Sequence, residues 1–325
     1  MKALLHVIAA AAMSLCSTAG AARMPDVLPG KGLAQHDFLY TGQAHTRDVY
    51  IVRGGKVVWE FHDEKARGEI SDAVMASDGR IVLAHQFGVK VIDQARKTRW
   101  ALDAEPEHEI HTAQFIGRER VIFLQSGPRP RIMVANINSG RIEREIAIPA
   151  GDLAKTHGQV RHARLTPAGT YLVAQMDLAR AAEFDERGNI VWTHPFPGIW
   201  SAERLANGNT LLCGKPGVVE IDPAGKTVWH LTPADIPEYE SRNRQIAQRL
   251  PNGNTLFNHW ENEWDRPSKK IDPDKAMVQA LEVTPSKKVV WALHAWKSPN
   301  LGPSTIVQLL DRPQRLEDVH FGAIR

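Results

Sequence analysis

Short apolar runs divided by turn residues recur along the chain, and they come in two kinds of pair. The first kind reads Ser71-Asp-Ala-Val-Met-Ala-Ser-Asp-Gly-Arg-Ile-Val-Leu83. It returns as Arg161 to Val173, Ser201 to Leu212 and Gln248 to Phe257, and more loosely as Thr112 to Leu124. Each is two β-rich runs split by Asp-Gly, Ala-Gly or Asn-Gly, where glycine supplies the positive φ that a tight hairpin turn needs. The second kind ends in Gly54-Gly-Lys-Val-Val-Trp59, Ala95-Arg-Lys-Thr-Arg-Trp100, Ser139-Gly-Arg-Ile-Glu-Arg144, Arg187-Gly-Asn-Ile-Val-Trp192, Ala224-Gly-Lys-Thr-Val-Trp229 and Ser286-Lys-Lys-Val-Val-Trp291. Successive markers stand 41, 44, 48, 37 and 62 residues apart, the range of propeller blades. Together the two pairs make a four-stranded unit, A to D from the inside outward.

The chain ends complete the count. Ser304 to Leu310 reads as an A strand with nothing after it, while His36–Tyr40, Asp48–Val52 and Val57–Trp59 supply B, C and D with no A before them. Joining the two closes a ring and hides the edges that an open array would expose. The pattern therefore predicts an all-β, six-bladed β-propeller of four-stranded blades over residues 36–312, closed by a C-terminal strand on the N-terminal blade. Seven blades is the competing count. The tryptophan markers are expected to pack between blades, so that Trp192→Ala would cost roughly 3–5 kcal/mol as a large core truncation.

Composition narrows the class. Forty basic residues against 37 acidic give +3, with no run of five like charges, which argues against a nucleic-acid partner. Lys2, the apolar run Ala3–Leu15 and the small residues Ala19-Gly-Ala21 have the form of a cleavable signal peptide over 1–21. Residues 22–35 then form a linker and 313–325 a tail. Leu15 stands just before Cys16, where lipid attachment wants a small residue, so a tethered N-terminus is the lesser alternative. Cleavage would leave Cys213 alone, without an internal disulfide. No later segment reaches 18 consecutive apolar residues, and the expected location is periplasmic or secreted.

In a four-stranded blade the A–B and C–D turns share one face and the B–C and D–A connections the other. The first set is short and glycine-rich; the second is long and irregular, as in Thr232–Arg244 and His259–Ala276. Function usually sits on such connections. Residues entering the A strands should rim the channel on that face: Ser71, Asp72, His111, Arg161, His162, Trp200, Arg242, Arg244 and Gln245. The ends of the B strands add His85, Gln125, Gln175, Asn258 and His259, and Trp260 and Trp264 could line a groove. Arginines among histidines suit an anion such as sulfate, phosphate or carboxylate. A small-molecule ligand or a protein partner on the long-loop face is expected. No metal motif is present; Asp272 with Asp274 and Glu261 with Glu263 could hold a cation, yet scattered loop carboxylates are usually solvated.

The ending Asp222-Pro-Ala-Gly-Lys-Thr-Val-Trp229 resembles those of the PQQ-binding-like, or quinoprotein dehydrogenase, propeller superfamily. The strings Leu250-Pro-Asn-Gly-Asn-Thr-Leu256 and Arg161-His-Ala-Arg-Leu-Thr-Pro-Ala-Gly-Thr170 resemble bacterial arylsulfotransferase-like propellers, which are six-bladed. That second resemblance implies a channel histidine nucleophile, with neighbouring His and Arg holding sulfate; His111 or His162 would be its counterpart by position. The quinone enzymes carry a vicinal cysteine pair, which this chain lacks, so no quinone cofactor is expected. Three readings follow: an exported ligand- or partner-binding propeller, a sulfotransferase-like enzyme, and a scaffold like the propeller lipoprotein of outer-membrane assembly.

Overall fold

The computed structural model describes residues 24–42, 48–63, 68–239, 243–261 and 271–311. The expected signal peptide, the C-terminal tail, Arg242 and Trp264 lie outside them. The described residues form six four-stranded antiparallel sheets. Blade 1 holds β1 (Phe38–Gly42), β2 (Asp48–Arg53) and β3 (Lys56–His62). Blade 2 holds β4 (Asp72–Met75), β5 (Ile81–Ala84), β6 (Gly88–Ile92) and β7 (Thr98–Asp103). Blade 3 follows with β8 (Glu109–Ile116), β9 (Arg120–Ser126), β10 (Arg131–Asn136) and β11 (Ile142–Ala147). Blade 4 is β12 (Val160–Leu165), β13 (Tyr171–Gln175), β14 (Arg180–Phe184) and β15 (Ile190–Pro195). Blade 5 is β16 (Ile199–Arg204), β17 (Thr210–Gly214), β18 (Gly217–Ile221) and β19 (Thr227–Leu231). Blade 6 is β20 (Arg244–Arg249), β21 (Thr255–His259), β22 (Ala280–Val283) and β23 (Val289–Leu293).

The last strand, β24 (Ser304–Leu309), returns to blade 1 as its innermost member. It pairs antiparallel with β1, Phe38 opposite Leu309 and Thr41 opposite Ile306. The ring is thus six blades, closed as the chain ends predict. Burial falls from the axis outward: every residue of β24 and β5 is buried, whereas β15 has no buried residue and β11 only Ile146. The outer strand of each blade has only one covered face, and its exposure records that.

The repeated strings are explained by one device. In blades 5 and 6 the second asparagine of the Asn-Gly-Asn turn donates to a glutamate on strand C: Asn209 to Glu220 and Asn254 to Glu282, both at 2.6 Å. The other oxygen of Glu220 accepts from Arg249 of the next blade at 2.6 Å, and Arg249 lies 4.7 Å over the Trp229 ring. Glu183, Arg204 and Trp192 repeat this triplet one blade earlier. In blade 6 His36 takes the arginine's place, 2.8 Å from Glu282 and edge-on to Trp291. Trp59, Trp229 and Trp291 also each donate an indole N–H to a backbone carbonyl beyond their own sheet: Gln94, Pro285 and Gly32. The tryptophans therefore dock blades on one another, as expected.

They do not all do so from the core. Trp291 is fully buried, but Trp192 stays half-exposed beneath the Arg204 guanidinium. The full core-truncation cost belongs to Trp291, and the expectation for Trp192 is corrected downward. Among the described residues no helix is long and apolar enough to cross a membrane. Urea unfolding should show Trp291→Ala losing roughly 3–5 kcal/mol. Trp192→Ala should lose only about 1 kcal/mol, the scale of an exposed cation–π contact.

Candidate functional site

The A strands begin on the long-loop face, and at that mouth blades 2, 3, 4 and 5 bring one polar cluster together. Glu69, in the connection before β4, accepts from Arg161 Nη1 at 2.7 Å and from Ser71 Oγ at 2.9 Å. His111 Nδ1 lies 2.9 Å from Ser71 Oγ, 3.0 Å from Arg161 Nη1 and 3.2 Å from the Glu69 carboxylate. On its other side His111 Nε2 is 2.7 Å from Glu109 Oε2. The same oxygen is 2.8 Å from Nδ1 of His157, and Gln86 donates to its twin at 2.9 Å. Trp200 lies under Arg161, 5.1 Å from guanidinium to ring. Burial alone would raise Glu69 and Glu109, but hydrogen bonds to His111, with Arg161 beside Glu69 and His157 beside Glu109, hold both carboxyls well below their usual range.

A second group sits on blade 6. Arg244 and His259 are cross-strand partners in β20 and β21, and both are 1% exposed. Among the described residues Nε, Nη1 and Nη2 of Arg244 have no hydrogen-bond partner, and neither has Nε2 of His259 or the indole nitrogen of Trp260. His259 Nδ1 faces the carbonyl of Val278 at 3.2 Å, which leaves Nε2 as the acceptor of a neutral ring. Burial, with Arg244 nearby, pulls His259 down to about 3. Burial also pushes the Cys213 thiol up to about 12 despite the same guanidinium.

The opposite end of the channel opens into a cavity of about 780 Å³ on the short-turn face. Its walls include Gln114, His162, Arg164, Glu203, Ile246 and Gln308. Burial and Arg164 lower His162 to about 3, so the ring is neutral, and its Nδ1 is unpartnered. Burial pushes the Glu203 carboxyl up to about 7, with one oxygen unpartnered. The arginines here are already paired: Arg164 with Asp72 through two contacts of 2.7 and 2.9 Å, Arg204 with Glu183, and Arg249 with Glu220.

The residues named from sequence are thus divided among several places. His111, Arg161 and Trp200 converge as expected. His162 does not join them; the β-bulge between Val160 and His162 and the alternation of strand side chains send it to the far cavity. Asn258 is consumed in the scaffold, accepting from Ile246 N at 2.9 Å and donating to Ser304 O at 3.0 Å. His85 lies outside the channel in a cleft between blades 2 and 3, lined also by Glu107 and Glu109; burial, with Lys90, lowers it to about 4. Glu69, Glu109 and His157 were not named from sequence. Glu109 was within reach, because positions two apart on a strand share a face and His111 was already a candidate.

No family model matches the sequence, and no curated protein matches it. Among solved structures, a protein of unknown function from Bacteroides caccae is similar at 21% identity, with a TM-score of 0.73 over 84% of this chain and 97% of that one. A catalytically inactive virginiamycin B lyase from Staphylococcus aureus with quinupristin is similar at 12% identity and a TM-score of 0.56, over 84% and 90% of the two chains. A streptogramin B lyase gives 12% and 0.53, over 83% and 85%. Likeness at this level of identity speaks for the propeller fold alone.

Glu203 generates a stability prediction. Its folded pKa lies above its unfolded value, so the protonated form favours the fold. That contribution is complete below about pH 4 and is lost as pH rises through 7. Glu203→Gln should therefore flatten the decline of stability between pH 5 and 8, by on the order of 2 kcal/mol for a partly enclosed carboxyl. Chemical denaturation of both forms across that range measures it; parallel pH profiles would refute it.

Proposed function

We propose that the chain is an exported binding propeller that takes a small anionic ligand at the long-loop end of blade 6, with Arg244 as the counter-charge. One observation carries this reading: a guanidinium 1% exposed whose three nitrogens all lack partners among the described residues. Arginine stays charged in proteins, and an unpaired buried charge costs several kcal/mol. A carboxylate, sulfate or phosphate would present two oxygens to its planar fork. The unpartnered indole N–H of Trp260 is a further donor on this blade. A small ligand also fits this face better than a protein partner. Among the described residues the exposed large apolar side chains are few: Val58, Ile190, Val191 and Val228 belong to outer strands, and Leu153 is the one on a long-loop connection.

The test is thermal unfolding of the mature protein with sulfate, phosphate, benzoate and phenyl sulfate, at constant ionic strength. At least one should raise Tm, a ligand at a hundred times its Kd adding about 2.7 kcal/mol. Arg244→Met should lose that response while being no less stable in its absence, since it removes an uncompensated charge. A series that leaves Tm unmoved, or an Arg244→Met variant that responds as the parent does, would refute the reading.

Sulfuryl transfer is the second reading, and one observation favours it: His162 is neutral, lines the 780 Å³ cavity and has an Nδ1 with no hydrogen-bond partner among the described residues. Against it, Arg164 is already held by Asp72 and is not free to hold sulfate. Release of 4-nitrophenol from 4-nitrophenyl sulfate, with and without phenol, should give a flat trace. Phenol-dependent turnover that disappears in His162→Ala but survives in His111→Ala would replace binding with transfer.

A further inference from the structure

We propose that Glu109, His111 and His157 bind a divalent transition ion of the Zn²⁺ kind at the long-loop mouth of the channel. Their donor atoms all lie within 4.8 Å of one another. Two imidazole nitrogens converge on one carboxylate oxygen, at 2.7 Å for His111 Nε2 and 2.8 Å for His157 Nδ1. Zinc takes imidazole nitrogen and carboxylate oxygen at about 2.0–2.2 Å, so seating an ion asks these donors to part by a few tenths of an ångström. His157 can give that room: it stands on the short 3-10 turn Thr156–Gly158, and its side chain is 51% exposed.

The surroundings are those of a ligand set rather than a chance cluster. Metal-bound histidines hand their second ring N–H to a carboxylate or similar acceptor, and metal-bound carboxylates are themselves held in place. Here His111 Nδ1 faces Ser71 Oγ and the Glu69 carboxylate, while Gln86 holds the Glu109 oxygen that does not face the histidines. Ser71 spends its own proton on Glu69, so its oxygen is an acceptor for His111. With an ion seated, Nε2 of His111 faces the metal, while Nδ1 stays against Glu69, Ser71 and Arg161. Arg161 then keeps its contact with Glu69 Oε1 and balances that charge. Three protein ligands leave a coordination position open for water or an anion, the form in which zinc polarises a bound group. The cleft between blades 2 and 3, which Glu109 also lines, provides the approach.

Titration calorimetry of the untagged mature protein with Zn²⁺ tests this, together with the visible absorption of Co²⁺ in its place. We expect one ion per chain and a Co²⁺ spectrum of low coordination number. His157→Ala, at a surface position, and Glu109→Gln should each lose the spectrum and weaken Zn²⁺ binding by roughly tenfold or more. Glu69→Gln should weaken it roughly 10–100-fold with the stoichiometry kept. His62→Ala, at an exposed histidine elsewhere, should change nothing. Absence of binding, binding unchanged in His157→Ala and Glu109→Gln, or an equal loss in His62→Ala would each overturn the assignment.

Discussion

Ring closure is the constraint on which everything else rests. Ser304–Leu309 leaves blade 6 and pairs with Phe38–Gly42. Without it the inner edge of β1 would stand unpaired. The same strand ties blade 1 to blade 2: Thr305 Oγ1 lies 2.6 Å from Thr41 Oγ1 and donates to the Ile70 carbonyl at 2.7 Å, and Gln308 exchanges hydrogen bonds with both backbone groups of Met75. The inner belt continues from Asp72 to Thr112 and Ala113, from Thr112 to Ala163, and from Gln114 to Leu165. These buried side chains each satisfy the backbone of a neighbouring blade, so β24, β4, β8 and β12 are locked to one another in height as well as in radius. Residues 92 apart in sequence, such as Glu69 and Arg161, meet only because of that lock.

Two kinds of charge follow. Most buried or half-buried charges are spent between blades: Glu183 with Arg204, Glu220 with Arg249, Asp72 with Arg164. Such pairs orient as much as they stabilise, because the desolvation of each ion offsets much of their attraction. They also leave the short-turn cavity nearly neutral, which suits an uncharged guest better than an anion. Arg244 is the contrasting case. Its guanidinium nitrogens have no hydrogen-bond partner among the described residues, and that separates it from a scaffold ion pair.

The repeat made the fold legible. Asn-Gly-Asn and Trp recur because each occupies a fixed place in the interblade latch, so the strings are geometry written in residue types. Even the exceptions keep the geometry: Arg96 and Lys287 hold positive φ where sister blades have glycine, and each spends its side chain on the preceding blade, Arg96 on the Glu60 carbonyl and Lys287 on Asp235. The site was only partly legible. His111, Arg161, Arg244 and Trp200 were named because they open A strands. Glu69 and His157 were not, since they stand in D–A connections that carry no repeat. His162 was placed at the wrong mouth, because its assignment rested on its place at the start of an A strand and passed over the alternation and the bulge that separate it from Arg161.

The two ends of the channel are unequal for a reason that lies in the latch itself. On the short-turn face the Asn-Gly-Asn turns, their glutamates and the following arginines are one bonded unit, so a side chain exchanged there breaks a blade junction. On the long-loop face the connections run free of that unit. Glu69 and His157 arrive from loops and complete groups begun by strand residues such as Arg161 and His111. A rigid strand start supplied by a variable loop is how a repeat scaffold gains chemistry without losing closure. The Glu109–His111–His157 group on blade 3 and Arg244 on blade 6 both follow this rule. They stand on different blades and share no residue, so one can carry function if the other proves to be scaffold.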